Sequence, residues 1–323
     1  GNRIGIGSDY FNNGSAVLRG NVVYDNSLGM RLMSTMDAIG NRVYSNNVGI
    51  DAISYTNFTS AIRYIGRIAN NLVYANTSLG IDLDGPLNSS VVNNVVYQEG
   101  STALRVRKFD YFPEGVVIGN NIFWSSGSGS RALDVTAEAA PGVSSDYNLF
   151  YLTDGATTIG RWAGVEYQDL PAWQAASGQD ASSVVGDPLF RNIRGADGEL
   201  GFRNGINRGL DDNFQLLAGS PAIDAGLGVG WAQFDALGNN WFDDLATANT
   251  GGGLYDEREV ASGFVRTGVA RNWRSNGGTW SYTLPFAFDF YGESYTTVTV
   301  SSRGLLQFGT NNDAGNGSND LAR

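Results

Sequence analysis

In the first half of the chain, apolar and polar positions alternate in short runs, with no three-to-four-residue helical period. Alternation over four to six residues is the pattern of a strand with one buried face. A phrase made of an Asn, two mostly apolar residues and an aromatic returns six times, opening at Asn21, Asn41, Asn71, Asn94, Asn121 and Asn148. Its closing aromatics are Tyr24, Tyr44, Tyr74, Tyr97, Trp124 and Tyr151, and successive Asn residues lie 20, 30, 23, 27 and 27 positions apart. A second alternating run follows each of the first five phrases after seven to nine residues, over 28–33, 48–53, 79–84, 102–107 and 130–135. A third strand precedes the Asn, as at 90–93 and 116–119. Three parallel strands per repeat of this length predict an all-β chain folded as a parallel β-helix, each coil stacked on the last. Parallel crossovers are overwhelmingly right-handed, so the expected coil is right-handed.

Stacking converts repeat positions into columns about 4.8 Å apart per rung. The opening Asn sits between two strands, where Asn tolerates the left-handed backbone of a sharp corner. Its amide can also hydrogen-bond up the column as an Asn ladder. If the third residue of the phrase points inward, the closing aromatics form an outward strip. Such a strip is either a platform for sugar rings or a set of rings stacked on each other beneath loops.

The pattern divides the chain in three. Residues 1–160 are the coils. Residues 161–262 lose the repeat and are expected to end and cap the helix, whose open end would otherwise expose unpaired backbone. Residues 263–323 read as a new β unit, with strand-like runs at 280–291, 295–300 and 304–308, and a tail at 310–320 rich in Asn, Gly and Asp. The abrupt start and the short last unit suggest a piece of a larger polypeptide with further domains.

Composition narrows the chemistry. The 323 residues carry a net charge of −11, with no Cys and no His. That removes thiol and disulfide chemistry, typical zinc or copper sites and any histidine base. An acidic surface argues against nucleic acid and anionic membranes. No run approaches the roughly 18 apolar residues of a membrane span, so no membrane insertion is expected. The balance fits an extracellular, secreted or cell-surface protein.

On the second strand, alternation with Met30, Ile50, Ile81, Leu104 and Leu133 inward leaves Arg31, Asp51, Asp82, Arg105 and Asp134 outward. Two residues on, Met33, Ile53, Asp84 and Arg107 form a parallel column. Asp51, Asp82 and Asp84 thus lie beside Arg105 and Arg107. Asp82 and Asp84 offer oxygen ligands of the kind Ca²⁺ takes, and neighbouring carboxylates raise one another's pKa. The structural alternative is a ladder of opposite charges paired across rungs. Loops beside this column carry Tyr55, Phe58 and Tyr64, and Phe109, Tyr111 and Phe112. With Trp124 from the strip, Tyr55, Tyr64 and Tyr111 are the candidate carbohydrate contacts; the alternative is small satellite cores under long loops.

The repeat resembles the right-handed parallel β-helix, pectate-lyase-like family, over roughly residues 1–260. The phrases Asp146-Tyr147-Asn148-Leu149, Asp187-Pro188-Leu189-Phe190 and Gly219-Ser220-Pro221-Ala222-Ile223-Asp224 look like the closing part of such domains in large secreted bacterial proteins. The stretch from Leu284-Pro285-Phe286 to Ser301-Ser302-Arg303-Gly304 is similar to β-sandwich modules that follow them. The resemblance implies Ca²⁺-binding carboxylates and a proton-abstracting Arg or Lys in lyases, and Asp acid–base pairs in hydrolases. On that reading Asp51, Asp82, Asp84, Arg105 and Arg107 are the catalytic candidates, though no family motif matches them residue by residue. This fold hosts many activities. The favoured expectation is a non-catalytic extracellular scaffold or adhesin that binds polysaccharide along the helix face. The alternative is a polysaccharide lyase, glycoside hydrolase or epimerase.

Overall fold

The computed structural model describes residues 1–8, 15–56, 61–223, 225–226, 279–290, 293–301 and 306–308. It is all-β, with 52% strand and 5% helix, and its main body is a parallel β-solenoid of about six turns. Two compact units are present, Gly1–Tyr255 and Asp256–Arg323.

Three sheets face the solenoid axis. The first holds the Asn-phrase strands, from Val22–Tyr24 through Leu72–Tyr74 to Leu149–Thr153, with Val184–Val185 added at its end. The second face holds the strands from Ile4–Gly7 through Leu79–Asp84 to Thr158–Trp162, and an antiparallel strand, Val165–Tyr167, closes it. A third holds Ala16–Arg19 through Val143–Asp146. Registers run one residue per rung: Tyr24, Tyr44, Tyr74, Tyr97, Trp124 and Tyr151 are successive partners. The third residues of the phrase, from Val23 to Phe150, point into the core beside Met30, Ile50, Ile81 and Leu104.

Polar columns hold the rungs in register. The backbone N–H and Nδ2 of Asn41 both donate to Oδ1 of Asn71, at 2.9 Å each. Asn71 does the same to Asn94, Asn94 to Asn121 and Asn121 to Asn148, all at 2.9–3.0 Å. From Asn41 to Asn148 each side-chain oxygen accepts from the coil before, and the bonds within the column always run to the following coil. The second Nδ2 hydrogen donates back to a backbone carbonyl of the preceding coil, as in Asn71 to Ala38. The left-handed residue is one place earlier than expected. It is Gly40, Asn70, Asn93, Asn120 and Tyr147 that have positive φ, between 55° and 65°, and the ladder Asn residues do not. One residue makes the corner and the next satisfies its backbone.

A second ladder, unanticipated from the sequence, runs through Asn26, Asn46, Asn76 and Gln98 at the corner between the first and second faces. It explains why the second phrase so often begins with an apolar residue and Gly. A Cβ on Gly49 would lie 2.9 Å from Asn76 Nδ2 and 2.5 Å from the carbonyl oxygen of Gly80. From coil four the position becomes Ala103 and then Ala132, as the ladder residue gives way to Ser125.

The first ladder ends on an acceptor. Asn148 Nδ2 donates to Oδ1 of buried Asp180 at 2.9 Å, and Ser145 and Ser183 hydroxyls donate to the same oxygen. Asp180 Oδ2 accepts from Trp173 Nε1 at 2.8 Å. Trp173 lies on the helix Leu170–Ser177, N-capped by Asp169, and its ring closes the apolar end of the solenoid. Stacking thus continues past residue 160, through Thr158–Trp162, before the cap. Further on, Phe190–Asn192 pairs antiparallel with Asn213–Leu216. The second unit shows three antiparallel strands, Thr279–Phe290, Glu293–Ser301 and Leu306–Phe308. Phe58, Asp224, 302–304 and the tail at 310–320 lie outside the described residues.

Asn94→Ala removes three donated bonds from Nδ2 and strands the Asn71 donors in a dry corner. We expect a loss of about 2–4 kcal/mol by urea unfolding, against less than about 1 kcal/mol for Asn21→Ala at the partly exposed first rung.

Candidate functional site

The outward column of the second face is Arg31, Asp51, Asp82, Arg105, Asp134 and Arg161, each in register with the next. It resolves into three ion pairs along the stack. Arg31 Nε and Nη2 donate to Asp51 Oδ2 at 3.0 and 2.8 Å. Arg105 Nε and Nη2 grip the two oxygens of Asp82 at 2.9 and 2.7 Å, and Arg161 grips Asp134 in the same way at 2.8 and 2.6 Å. Arg161 lies just past residue 160, where the sequence pattern alone ends the coils, and only the stacking of Thr158–Trp162 adds it to the column. Fork-on-fork pairing of this kind is the strongest geometry open to Arg and carboxylate.

Asp84 departs from this pattern. It is buried, its Oδ2 lies 3.2 Å from Arg107 Nη2, and its Oδ1 has no hydrogen-bond partner among the described residues. Arg107 is shared, reaching Asp82 as well at 3.4 Å. Burial pushes the Asp84 carboxyl up to about 6, with Asp82 and Asp51 pushing the same way and Arg107 opposing. Asp51 is also raised, first by burial, against the pull of Arg31.

The Ca²⁺ expectation at Asp82 and Asp84 does not fit this geometry. Calcium takes six to eight oxygens, whereas both Asp82 oxygens are held by Arg105 and one Asp84 oxygen faces Arg107. Among the described residues no group of three or more acidic side chains is placed to hold a metal.

The aromatic candidates separate. Tyr64 is fully buried in the main core, beside Met36 and Ile68, so its ring is a packing element with no face for a sugar. Tyr55 lies on a short hairpin, Tyr55–Thr56 with Ala61–Ile62. That hairpin is tied to the next loop by the Thr56 N–H donating to Asp110 Oδ2 at 2.8 Å. In that loop Phe109 and Phe112 are exposed. Cations cover the rings: Arg63 lies 5.2 Å from the centroid of Tyr111, and Lys108 Nζ 4.6 Å from that of Phe112.

The aromatic strip is largely covered. Tyr24, Tyr44 and Tyr74 stack at 5.4 and 4.8 Å, and Trp124 packs between Tyr97 and Tyr151 at 4.4 and 5.3 Å. The segment 186–217 lies over them, with Phe202 against Tyr24, Phe214 against Tyr74 and Phe190 against Trp124. Arg42 fastens this strap: Nη2 donates to the carbonyls of Gly209 and Asp212 at 2.7 and 3.0 Å. The signal for Arg42 was present, since it is the one charged residue at a phrase position otherwise filled by Val22, Leu72, Val95, Ile122 and Leu149. Trp124 is half-buried, and its Nε1 donates to Thr153 Oγ1 at 2.8 Å.

Residues 255–323 match the protein family described as NIDO related. Among curated proteins, the chain is similar to "Uncharacterized protein YwoF" of Bacillus subtilis (strain 168), with 25% identity over 163 residues. That alignment covers 47% of this chain and 34% of the relative, so it spans about a third of the relative's length. No solved structure matches the chain.

Because folding raises the Asp84 pKa from its ordinary value of 3.8 to about 6, the native state holds that proton more tightly than the unfolded chain. Its contribution to stability is therefore greatest below pH 3.8 and is lost as pH rises through about 6. Asp84→Asn should raise the melting temperature at pH 7.5, by the equivalent of up to about 2 kcal/mol, and should do less at pH 4.5. Asp82→Asn should lower it at both pH values, by roughly 1–3 kcal/mol, since Arg105 and Arg107 lose their shared anion. Thermal melts across pH distinguish the two.

Proposed function

We propose that this chain is a non-catalytic, extracellular scaffold of the adhesin type, a rigid β-helix that carries a C-terminal module and binds polysaccharide. The observation that carries the reading is the pairing on the second face: Asp51, Asp82 and Asp134 each have an Arg partner in an adjacent rung, which turns the outward charge into cross-links between rungs. A lyase needs an unprotonated basic side chain to take the proton, and Arg105 is held as a guanidinium cation by both oxygens of Asp82. The coils are read as pectate-lyase-like in descent and the C-terminal unit as a β-sandwich-type module. The match to a NIDO-related family over 255–323 supports a separate C-terminal module there. Further domains of a larger surface polypeptide belong to the same proposal.

The alternative reading, a lyase, hydrolase or epimerase acting on acidic polysaccharide, is favoured by Asp84. A buried carboxylate raised to about 6 with an unpartnered oxygen is the type of group that acts as a general acid or base.

Incubation with polygalacturonate, alginate and other uronate polymers, at pH 5–9 with and without Ca²⁺, separates the two. The scaffold reading expects no unsaturated product absorbing in the ultraviolet and no new reducing ends. Turnover that disappears in Asp84→Asn or Arg105→Gln while the melt stays cooperative would establish the enzyme instead.

A further inference from the structure

The first face changes width part-way along the solenoid, and the step creates a groove. In the first three coils its strands are three residues long, Val22–Tyr24, Arg42–Tyr44 and Leu72–Tyr74. They turn at once through left-handed Asp25, Ser45 and Ala75. From the fourth coil the strands run five residues, as in Val95–Glu99 and Ile122–Ser126, and turn later, at Gly100 and Gly127. Glu99 therefore stands at the end of the lengthened strand like a wall. The Tyr97 hydroxyl, donating to its carboxylate at 2.6 Å, fixes its direction.

The opposite side of the groove is supplied by the strap. The Phe202 N–H donates to Ser45 Oγ at 2.9 Å, which fastens the Leu200–Asn204 loop beside the turns. Gly201 makes this approach possible, since a Cβ there would lie 2.4 Å from Ser45 Oγ. The half-open space is about 450 Å³, within the range of small-ligand sites. Its floor is small, Ser45 and Ala75, and its ends carry carboxylates, Asp25 and Glu99. Those ends are three rungs apart, or about 14 Å at the spacing of parallel strands. Phe202 and Leu200 provide an apolar wall, and Thr77 and Arg203 stand among the polar lining groups.

We infer that this groove is a binding site for an uncharged oligosaccharide of two to three residues. An aromatic wall beside carboxylate and hydroxyl acceptors is the combination a sugar needs, with its C–H face on the ring and its hydroxyl pairs on the acceptors. The lining carries two carboxylates, Asp25 and Glu99, against the one guanidinium of Arg203, which itself faces Glu99 at 4.0 Å, so the groove's charge disfavours a uronate. The site lies at the turns that end the first face, on a different face from the Asp84 column although it shares coils with it. It deepens the polysaccharide-binding part of the proposed function and rests on it.

The test is calorimetric titration of the whole chain with neutral trisaccharides (gluco-, xylo- and manno-configured) and with trigalacturonate. Thr77→Arg fills the groove from an exposed position, and Glu99→Gln alters one end. The inference expects saturable binding of at least one neutral sugar, weakened about tenfold or more by Thr77→Arg and by Phe202→Ala, with the Thr77→Arg melt unchanged. It is overturned if no neutral sugar binds, if trigalacturonate binds in preference, or if Thr77→Arg leaves affinity intact. Absence of neutral-sugar binding in a chain that also turns over no uronate polymer would remove the groove and leave the scaffold reading standing.

Discussion

The arrangement depends on one hydrogen-bonded relationship: an Asn whose backbone N–H and Nδ2 both reach the side-chain oxygen of the next coil's Asn, and whose own oxygen accepts from the coil before. Where this relay holds, every coil is locked at one register to its neighbours, and apolar residues at equivalent positions stack into one core. The relay is directional, so its end needs a group that only accepts. Asp180 meets that need as a buried carboxylate collecting four donors. Burying an acid is costly unless it is saturated with hydrogen bonds, and this one is.

Regular stacking makes departures from the repeat conspicuous, and the departures do most of the shaping. Arg42, in a column of aliphatic residues, fastens the strap. The two extra residues in the strands from Val95 onward make the groove step. Asp84, beside a column of balanced Arg–Asp pairs, has one oxygen unmatched among the described residues and its proton held more tightly. In a solenoid, an insertion or a charge in one coil is a local event, because each rung contacts chiefly its neighbours. Special features can therefore accumulate without disturbing the register elsewhere.

Much of the fold was legible in the sequence because a period of strands and turns is a statement about stacking. The columns from Tyr24 to Tyr151 and from Arg31 to Asp134 follow from alternation alone. Other features were hidden for physical reasons. The second ladder drifts from Asn76 to Gln98, which hides its period, and its function is visible only when Gly49 and Gly80 are seen against the amides. The corner residue was confused with the ladder residue because Asn70-Asn71 and Asn93-Asn94 present the same side chain for two jobs. The place of Tyr64 in the main core, and in neither a sugar cleft nor a satellite cluster, is hidden because its segment looks like a loop. Long-range cover, such as Phe214 over Tyr74, leaves no periodic trace at all.

The account stands or falls on which residues are vertical neighbours, and the lack of native cysteine allows a direct measurement. Val117 and Ser144 are exposed partners in adjacent rungs of the third face, whereas Arg67 lies two rungs from Val117. Val117→Cys with Ser144→Cys should form a disulfide under mild oxidation without lowering the melting temperature, and Val117→Cys with Arg67→Cys should not, because two rungs separate the latter by about 10 Å. Equal cross-linking of both pairs, or none in the adjacent pair, would contradict the stacking from which every other statement follows.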